Sequence, residues 1–128
     1  MTPKSTQRIS SAVESSACLA KAITRLSQPD TLVVVDCLTL WLTNLLMPAQ
    51  GDVGASDART TALAQTLSTH TGPLILVSNE IGLGVIPMGA EVRAFVDALG
   101  RLNQQVAAVC DRVTLMAAGL PLTLKDKA

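Results

Sequence analysis

A chain of 128 residues that is 48% apolar, with ten Lys and Arg balanced by ten Asp and Glu, has material for one compact core and is expected to form a single domain over residues 1–128. The zero formal charge and the lack of any Lys/Arg run exclude a surface built electrostatically for nucleic acid or anionic lipid, which leaves a small molecule or a protein as partner. With Trp41 and Phe95 the only aromatic residues, stacking platforms for single-stranded bases are excluded too, and the core must be Val, Leu, Ile and Ala. Residues 1–16 hold no apolar stretch of the signal-peptide kind, no run is long enough to span a bilayer, and the three cysteines are scattered without metal-ligand spacing; a reduced, cytoplasmic protein is expected.

In chain order, apolar residues from Glu14 to Leu26 (Ala17, Leu19, Ala20, Ile23, Leu26) fall at helical spacing until Gln28-Pro29-Asp30 stops them. Thr31 to Asp36 is a β-branched apolar run ending in a carboxylate, which predicts a strand buried on both faces of a parallel sheet. A Leu-rich helix follows over Leu38 to Met47, with so little polar surface around Trp41 that it is either deeply buried or covered by another subunit. Pro48 to Ser56 reads as a loop, with Ser56 capping a helix from Asp57 to Ser68, and His70 reads as a solvated loop residue.

Pro73 to Ser78 repeats the buried-strand pattern and opens into the Gly-rich loop Asn79 to Gly89. In the next helix Phe95, Leu99, Leu102, Val106 and Val109 form the packed face, whereas Arg93, Asp97, Arg101 and Gln104 read as a solvated face laced by ion pairs. Arg112 to Ala118 and Leu120 to Leu124 predict a closing hairpin or pair of short strands, and Lys125 to Ala128 a frayed tail. The alternation predicts an α/β fold, a mostly parallel sheet flanked by helices, in which ligands gather at the carboxyl ends of the strands. Asp36 and the pair Asn79-Glu80 stand at those ends.

A β-branched strand ending in Asp, Val33-Val34-Val35-Asp36, has the Walker B pattern, whose carboxylate holds magnesium directly or through water, and the Thr39 hydroxyl one turn on can share that site. A strand-final Asp is as often a helix cap, and Cys37 reads as a core thiol. In Ser78-Asn79-Glu80-Ile81-Gly82-Leu83-Gly84-Val85-Ile86-Pro87 the two glycines imply backbone geometry that side chains would obstruct, but the segment has neither the third Gly of a dinucleotide fingerprint nor the Lys of a P-loop. Glu80 there orders magnesium-bound water, binds a sugar hydroxyl or caps the loop.

Taken together, Asp36-Cys37-Leu38-Thr39-Leu40-Trp41-Leu42-Thr43-Asn44-Leu45-Leu46, the segment Ser78 to Pro87, and Arg93, Phe95, Asp97, Gly100, Asn103, Gln104 and Ala107 resemble the adenosylcobinamide kinase/adenosylcobinamide-phosphate guanylyltransferase family in order and spacing over nearly the whole chain. Gly119-Leu120-Pro121 before Lys125 is also similar, and Glu14 resembles a carboxylate of the weaker family stretch ahead of the Asp-Cys-Leu-Thr strand. The resemblance implies NTP-dependent phosphorylation of adenosylcobinamide, then GMP transfer from GTP to adenosylcobinamide phosphate through a guanylylated histidine, a step of cobalamin biosynthesis. It further implies GTP or ATP with Mg as cofactors, nucleotide contacts at Glu14 and Asp36, a RecA-like P-loop fold and a homotrimer. Thr39, Asn79 and Glu80 complete the expected nucleotide-site set, with Asp36 as the metal ligand.

The family's Gly-Gly-x-x-Ser-Gly-Lys-Ser type loop and its nucleophilic His have no counterpart in residues 1–128, and His70 does not match the latter's position. The catalytic residue is therefore left open, with Glu80 as a candidate. Without that phosphate cradle most of the electrostatic stabilisation of phosphoryl transfer is missing, so the expectation is an N-terminally truncated remnant of the fold that is not competent alone. Two alternatives stay open: a non-catalytic binding or assembly module, and one half of a split enzyme completed by a P-loop-bearing chain.

Overall fold

Leu19 and Ile23, one turn apart, open the ordered core from the first helix, and every later helix adds residues to the same cluster. The structure, a computed structural model, describes residues 19–46, 53–84 and 88–127, with side chains from 57 onward in the second stretch. Helix α1 spans Leu19–Leu26 and ends where Pro29 cannot continue it. Strand β1 spans Val33–Asp36, helix α2 Leu38–Leu46, helix α3 Val53–Thr69 and strand β2 Leu74–Val77. A short 3₁₀ turn, Ile81–Leu83, precedes helix α4, Ala90–Val109, and the chain closes in strands β3, Arg112–Ala117, and β4, Leu120–Asp126. No helix among the described residues is long and apolar enough to cross a membrane.

The chain is thus mixed α/β. Strands β1 and β2 pair in parallel, Val33 opposite Leu74 through Asp36 opposite Val77, with α2 and α3 in the crossover between them. Helix α3 is the central support: Leu63 and Leu67 are buried against α1 on one side and α4 on the other, while α2 rests on both α3 and α4. From α2 come Leu38, Trp41 and Leu42, and from α4 come Leu99, Leu102 and Val106, at the three- and four-residue steps of one helix face. Each such leucine contributes about 1.5–3 kcal/mol on burial. The expected packing face of α4 is therefore correct, with Phe95 and Val109 at its rim; in α2, Leu38, Trp41 and Leu42 are buried within this chain while Leu40 remains 48% exposed.

Several expectations need correction. Among the described residues the parallel sheet has only two strands, smaller than expected, and β3 and β4 form a separate antiparallel hairpin. Among the described residues the strands are covered on one face only: Val35, Leu74 and Leu76 pack on the helices, whereas Val34, Ile75 and Val77 remain 55%, 50% and 41% exposed. Ser56 does not cap α3, because the helix already begins at Val53; residues of the first turn need no intrahelical acceptor for their N–H groups, so Gly54 and Ser56 are tolerated there.

Lys125 to Lys127 are not a frayed tail either, and Ala128 lies outside the described residues. Lys125 and Asp126 lie in β4, Lys125 Nζ donates to the carbonyls of Ala107 and Ala108 at 2.8 and 3.1 Å, and Lys127 N–H donates to Asp111 O at 2.9 Å. The ammonium satisfies carbonyls that the end of α4 leaves without a helical partner. Hairpin closure uses Ala118 and Gly119, both in the left-handed region, which is the geometry that matches the right-handed twist of two strands.

Candidate functional site

The parallel register places the ends of β1 and β2 side by side, with Asp36 opposite Val77 and the loop Ser78–Glu80 starting one residue further on. Asp36 is exposed there, and its carboxylate makes no hydrogen bond or ion pair with any described residue. The capping of α2 falls instead to Cys37, whose Sγ accepts the Leu40 N–H at 3.4 Å and whose carbonyl accepts the Trp41 N–H at 3.2 Å. Cys37 is half-buried, so the expectation of a plain core thiol gives way to a cap, and Asp36 is released from that task.

Thr39, in the first turn of α2, joins the two strand ends. Its Oγ1 accepts both the backbone N–H of Asn79 at 3.1 Å and the Asn79 side-chain amide at 3.0 Å. A hydroxyl oxygen has two lone pairs, and both are taken, so Thr39 retains only its O–H to offer a ligand. In this arrangement the Thr39 O–H faces outward as a donor suited to an acceptor oxygen.

Glu80 occupies the cap position of the 3₁₀ turn, and its carbonyl accepts the Leu83 N–H at 3.4 Å, but its side chain makes no capping bond. One carboxylate oxygen, Oε2, lies 3.4 Å from the Asn103 amide nitrogen of α4. Asn103 Nδ2 also donates to the Asn79 carbonyl at 3.0 Å, and its Oδ1 accepts the Ser78 hydroxyl at 2.6 Å. Thr39, Asn79 and Glu80 are thereby brought into one polar network at the strand ends beside Asp36. Glu14 lies outside the described residues, as do Val85 to Pro87 of the Gly-rich loop.

Neither Gly82 nor Gly84 has a left-handed backbone, although a Cβ on Gly82 would come within 3.3 Å of Glu80 Oε1 and one on Gly84 within 3.3 Å of the Ile81 carbonyl. These glycines keep the turn close to Glu80 by lacking bulk, not by unusual φ. Arg93 donates to the Met88 carbonyl at 2.6 Å and so ties the loop end to α4. His70 is exposed, its Nδ1 against the Leu67 carbonyl at the end of α3, and takes no part in the cluster.

Metal and nucleophile chemistry are constrained by what surrounds each group. No three His, Cys, Asp or Glu side chains converge among the described residues, so a magnesium ion held here by Asp36 would take most of its ligands from water and substrate phosphates, as this cation commonly does. Burial pushes the Cys110 thiol upward, only partly offset by Lys125, and it sits at the far end of α4; it is no activated nucleophile. A cleft of about 270 Å³ between α2, α3 and α4, with Asp57, Thr61, Arg101 and Gln105 on its walls, contains none of the strand-end residues. The strand-end surface carries more chemistry, because there a carboxylate without a partner among the described residues meets a polar network.

Ser78 and Asn103 are the members of the network whose role sequence reasoning missed. Asn103 stands in the family-like set, but a bond spanning 24 residues has no local pattern to announce it.

The family model described as cobinamide kinase / cobinamide phosphate guanyltransferase matches residues 6–124. The chain is 44% identical over 115 residues to the bifunctional adenosylcobalamin biosynthesis protein CobP of Pseudomonas aeruginosa, covering 90% of this chain and 65% of that protein. It is 32% identical over 108 residues to the bifunctional adenosylcobalamin biosynthesis proteins CobU of Escherichia coli and of Salmonella typhimurium, covering 76% of this chain and 60% of each relative. The chain thus spans less than two thirds of the length of these relatives. With a family match over residues 6–124, nearly the whole of its length, the chain belongs to the cobinamide kinase / cobinamide phosphate guanyltransferase family.

Proposed function

We propose that the chain serves in adenosylcobalamin biosynthesis by carrying the carboxylate side of a nucleotide site that phosphorylates adenosylcobinamide and transfers GMP from GTP to the resulting phosphate. The observation that carries this reading is the Asp36 carboxylate at the end of a parallel strand, exposed and without a bonding partner among the described residues, next to a threonine hydroxyl that accepts from Asn79 and keeps its O–H to donate. Asp36 would hold magnesium, which when bound neutralises phosphate charge. Thr39 would donate to a phosphate or sugar oxygen, and Glu80 would accept from a ribose hydroxyl or a metal-bound water. Glu14 belongs to the same proposed nucleotide set on resemblance alone. A RecA-like arrangement and a homotrimer are part of the proposal.

Residues 1–128 contain neither a Gly-Lys-Ser phosphate loop nor the family's nucleophilic histidine, so both must come from residues outside this sequence, in the same polypeptide or another. Phosphoryl transfer depends on a preorganised cradle of backbone N–H groups and a Lys, and an isolated carboxylate cluster cannot replace it. The test is product formation from adenosylcobinamide, GTP and magnesium, with the chain alone and with a polypeptide supplying the loop and histidine of a family member. Adenosylcobinamide-GDP is expected only from the combination. Product from the chain alone contradicts the division of the site, and no product from either favours a binding module without catalysis.

A further inference from the structure

The proposed nucleotide site uses Asp36, Thr39, Asn79 and Glu80 and leaves Asn103 without a task. Its amide orientation is settled by its neighbours: Nδ2 faces the Asn79 carbonyl at 3.0 Å and Glu80 Oε2 at 3.4 Å, two oxygens that can only accept, and Oδ1 accepts the Ser78 hydroxyl at 2.6 Å. One side chain thus holds three consecutive residues of an exposed loop. Asn103 is itself half-buried and next to Leu102, which is fully buried, so it projects from a helix anchored in the core.

Asn79 is gripped from both sides, by Thr39 of α2 through its N–H and amide and by Asn103 of α4 through its carbonyl. The loop therefore has a defined position relative to both helices, although Ser78, Asn79 and Glu80 are all exposed and the 3₁₀ turn after them lacks a side-chain cap. A site on a loop gains precision when its residues are held by side chains of rigid elements.

We propose that Asn103 is a positioning residue: it holds the Ser78–Glu80 loop against α4 so that the Glu80 carboxylate and the Thr39 hydroxyl face a ligand together. This rests on the reading of the strand-end cluster as the nucleotide site. The amide is chemically specific, since it must donate to Glu80 and accept from Ser78. A carboxylate in its place would repel Glu80 until protonated, and an alanine would release all three residues.

The test needs no ligand. In the full chain, nuclear magnetic resonance reads the side-chain amide of Asn79 and the three-bond couplings that report the Glu80 rotamer. Asn103→Ala is expected to move the Asn79 amide to its free position and average the Glu80 couplings, with the Leu99, Leu102 and Val106 signals unchanged. Asn103→Asp is expected to do the same at pH 7. The ordered signals should return as pH falls through about 4, where the introduced carboxyl regains a donor, while Asn103→Ala shows no such return. Ser78→Ala, at an exposed position, gives partial averaging and serves if either substitution at 103 disturbs α4. Unchanged Asn79 and Glu80 signals in both Asn103→Ala and Ser78→Ala would overturn the proposal. Magnesium-GTP titration of the loop-complemented chain is read separately: failure of the unsubstituted protein to bind sinks the nucleotide reading and leaves the loop measurements standing.

Discussion

At the level of single residues, Gly72 matters more than the glycines that draw the eye. Its φ is +96°, and a Cβ built there would lie 2.0 Å from the Gln28 carbonyl oxygen, so backbone meets backbone where the turn after α1 passes the entry to β2. Gly72→Ala is expected to cost more than about 2 kcal/mol in urea unfolding, since neither the left-handed geometry nor the contact can relax cheaply. Gly84→Ala, with φ −85° and a 3.3 Å contact, should cost less than about 1 kcal/mol. A loss at Gly72 no larger than that at Gly84 would show that the turn yields. The sequence draws attention to Gly82 and Gly84 because they sit in a recognisable motif, whereas Gly72 is required by a neighbour more than forty positions away. Asp36 was legible because a β-branched run ending in Asp is a local pattern. Its freedom from capping was not, since that depends on the Cys37 sulfur taking the Leu40 N–H.

Among the elements, the helices were read well and their ends poorly. Helix faces follow from the spacing of Leu99, Leu102 and Val106, a property of the sequence itself. The start of α3 and the end of β4 do not, because polar and charged residues there are chosen by contacts made after folding. Lys125 is the clearest instance, a charged residue near the end of the chain whose ammonium closes α4 through two carbonyls. Lys125→Met keeps the stem and removes the charge, and should lower stability by about 1–2 kcal/mol, read as a shift in the urea midpoint. The same change has a signature at Cys110, whose thiol is raised by burial and lowered by Lys125. Removing the ammonium raises it further and leaves less thiolate at a given pH, so alkylation of Cys110 at pH 8 should slow. Unchanged alkylation together with unchanged stability would make the Lys125 contacts incidental.

For the molecule as a whole, the apolar strands Val33–Asp36 and Leu74–Val77 have the composition of a parallel sheet covered on both faces, and the parallel pairing agrees. Only one face is covered by the described residues, with Val34, Ile75 and Val77 on the other. Strand composition reports that a face is apolar; it does not report which residues cover it, so this part of the fold could not be read from the sequence. The site divides in the same way. Asp36, Thr39, Asn79 and Glu80 stood out as strand-end residues, while the bonds that join them through Asn103 exist only in three dimensions. The central claim is that this cluster is one side of a nucleotide site in which Asp36 meets the metal. Calorimetry of magnesium-GTP binding to the loop-complemented chain, with and without Asp36→Asn, tests it most directly. Because Asp36 has no bonding partner among the described residues, the substitution should leave the melting temperature unchanged while weakening affinity at least about tenfold, roughly 1.4 kcal/mol. Equal affinity in the two proteins would contradict the claim and leave Asp36 an exposed strand end.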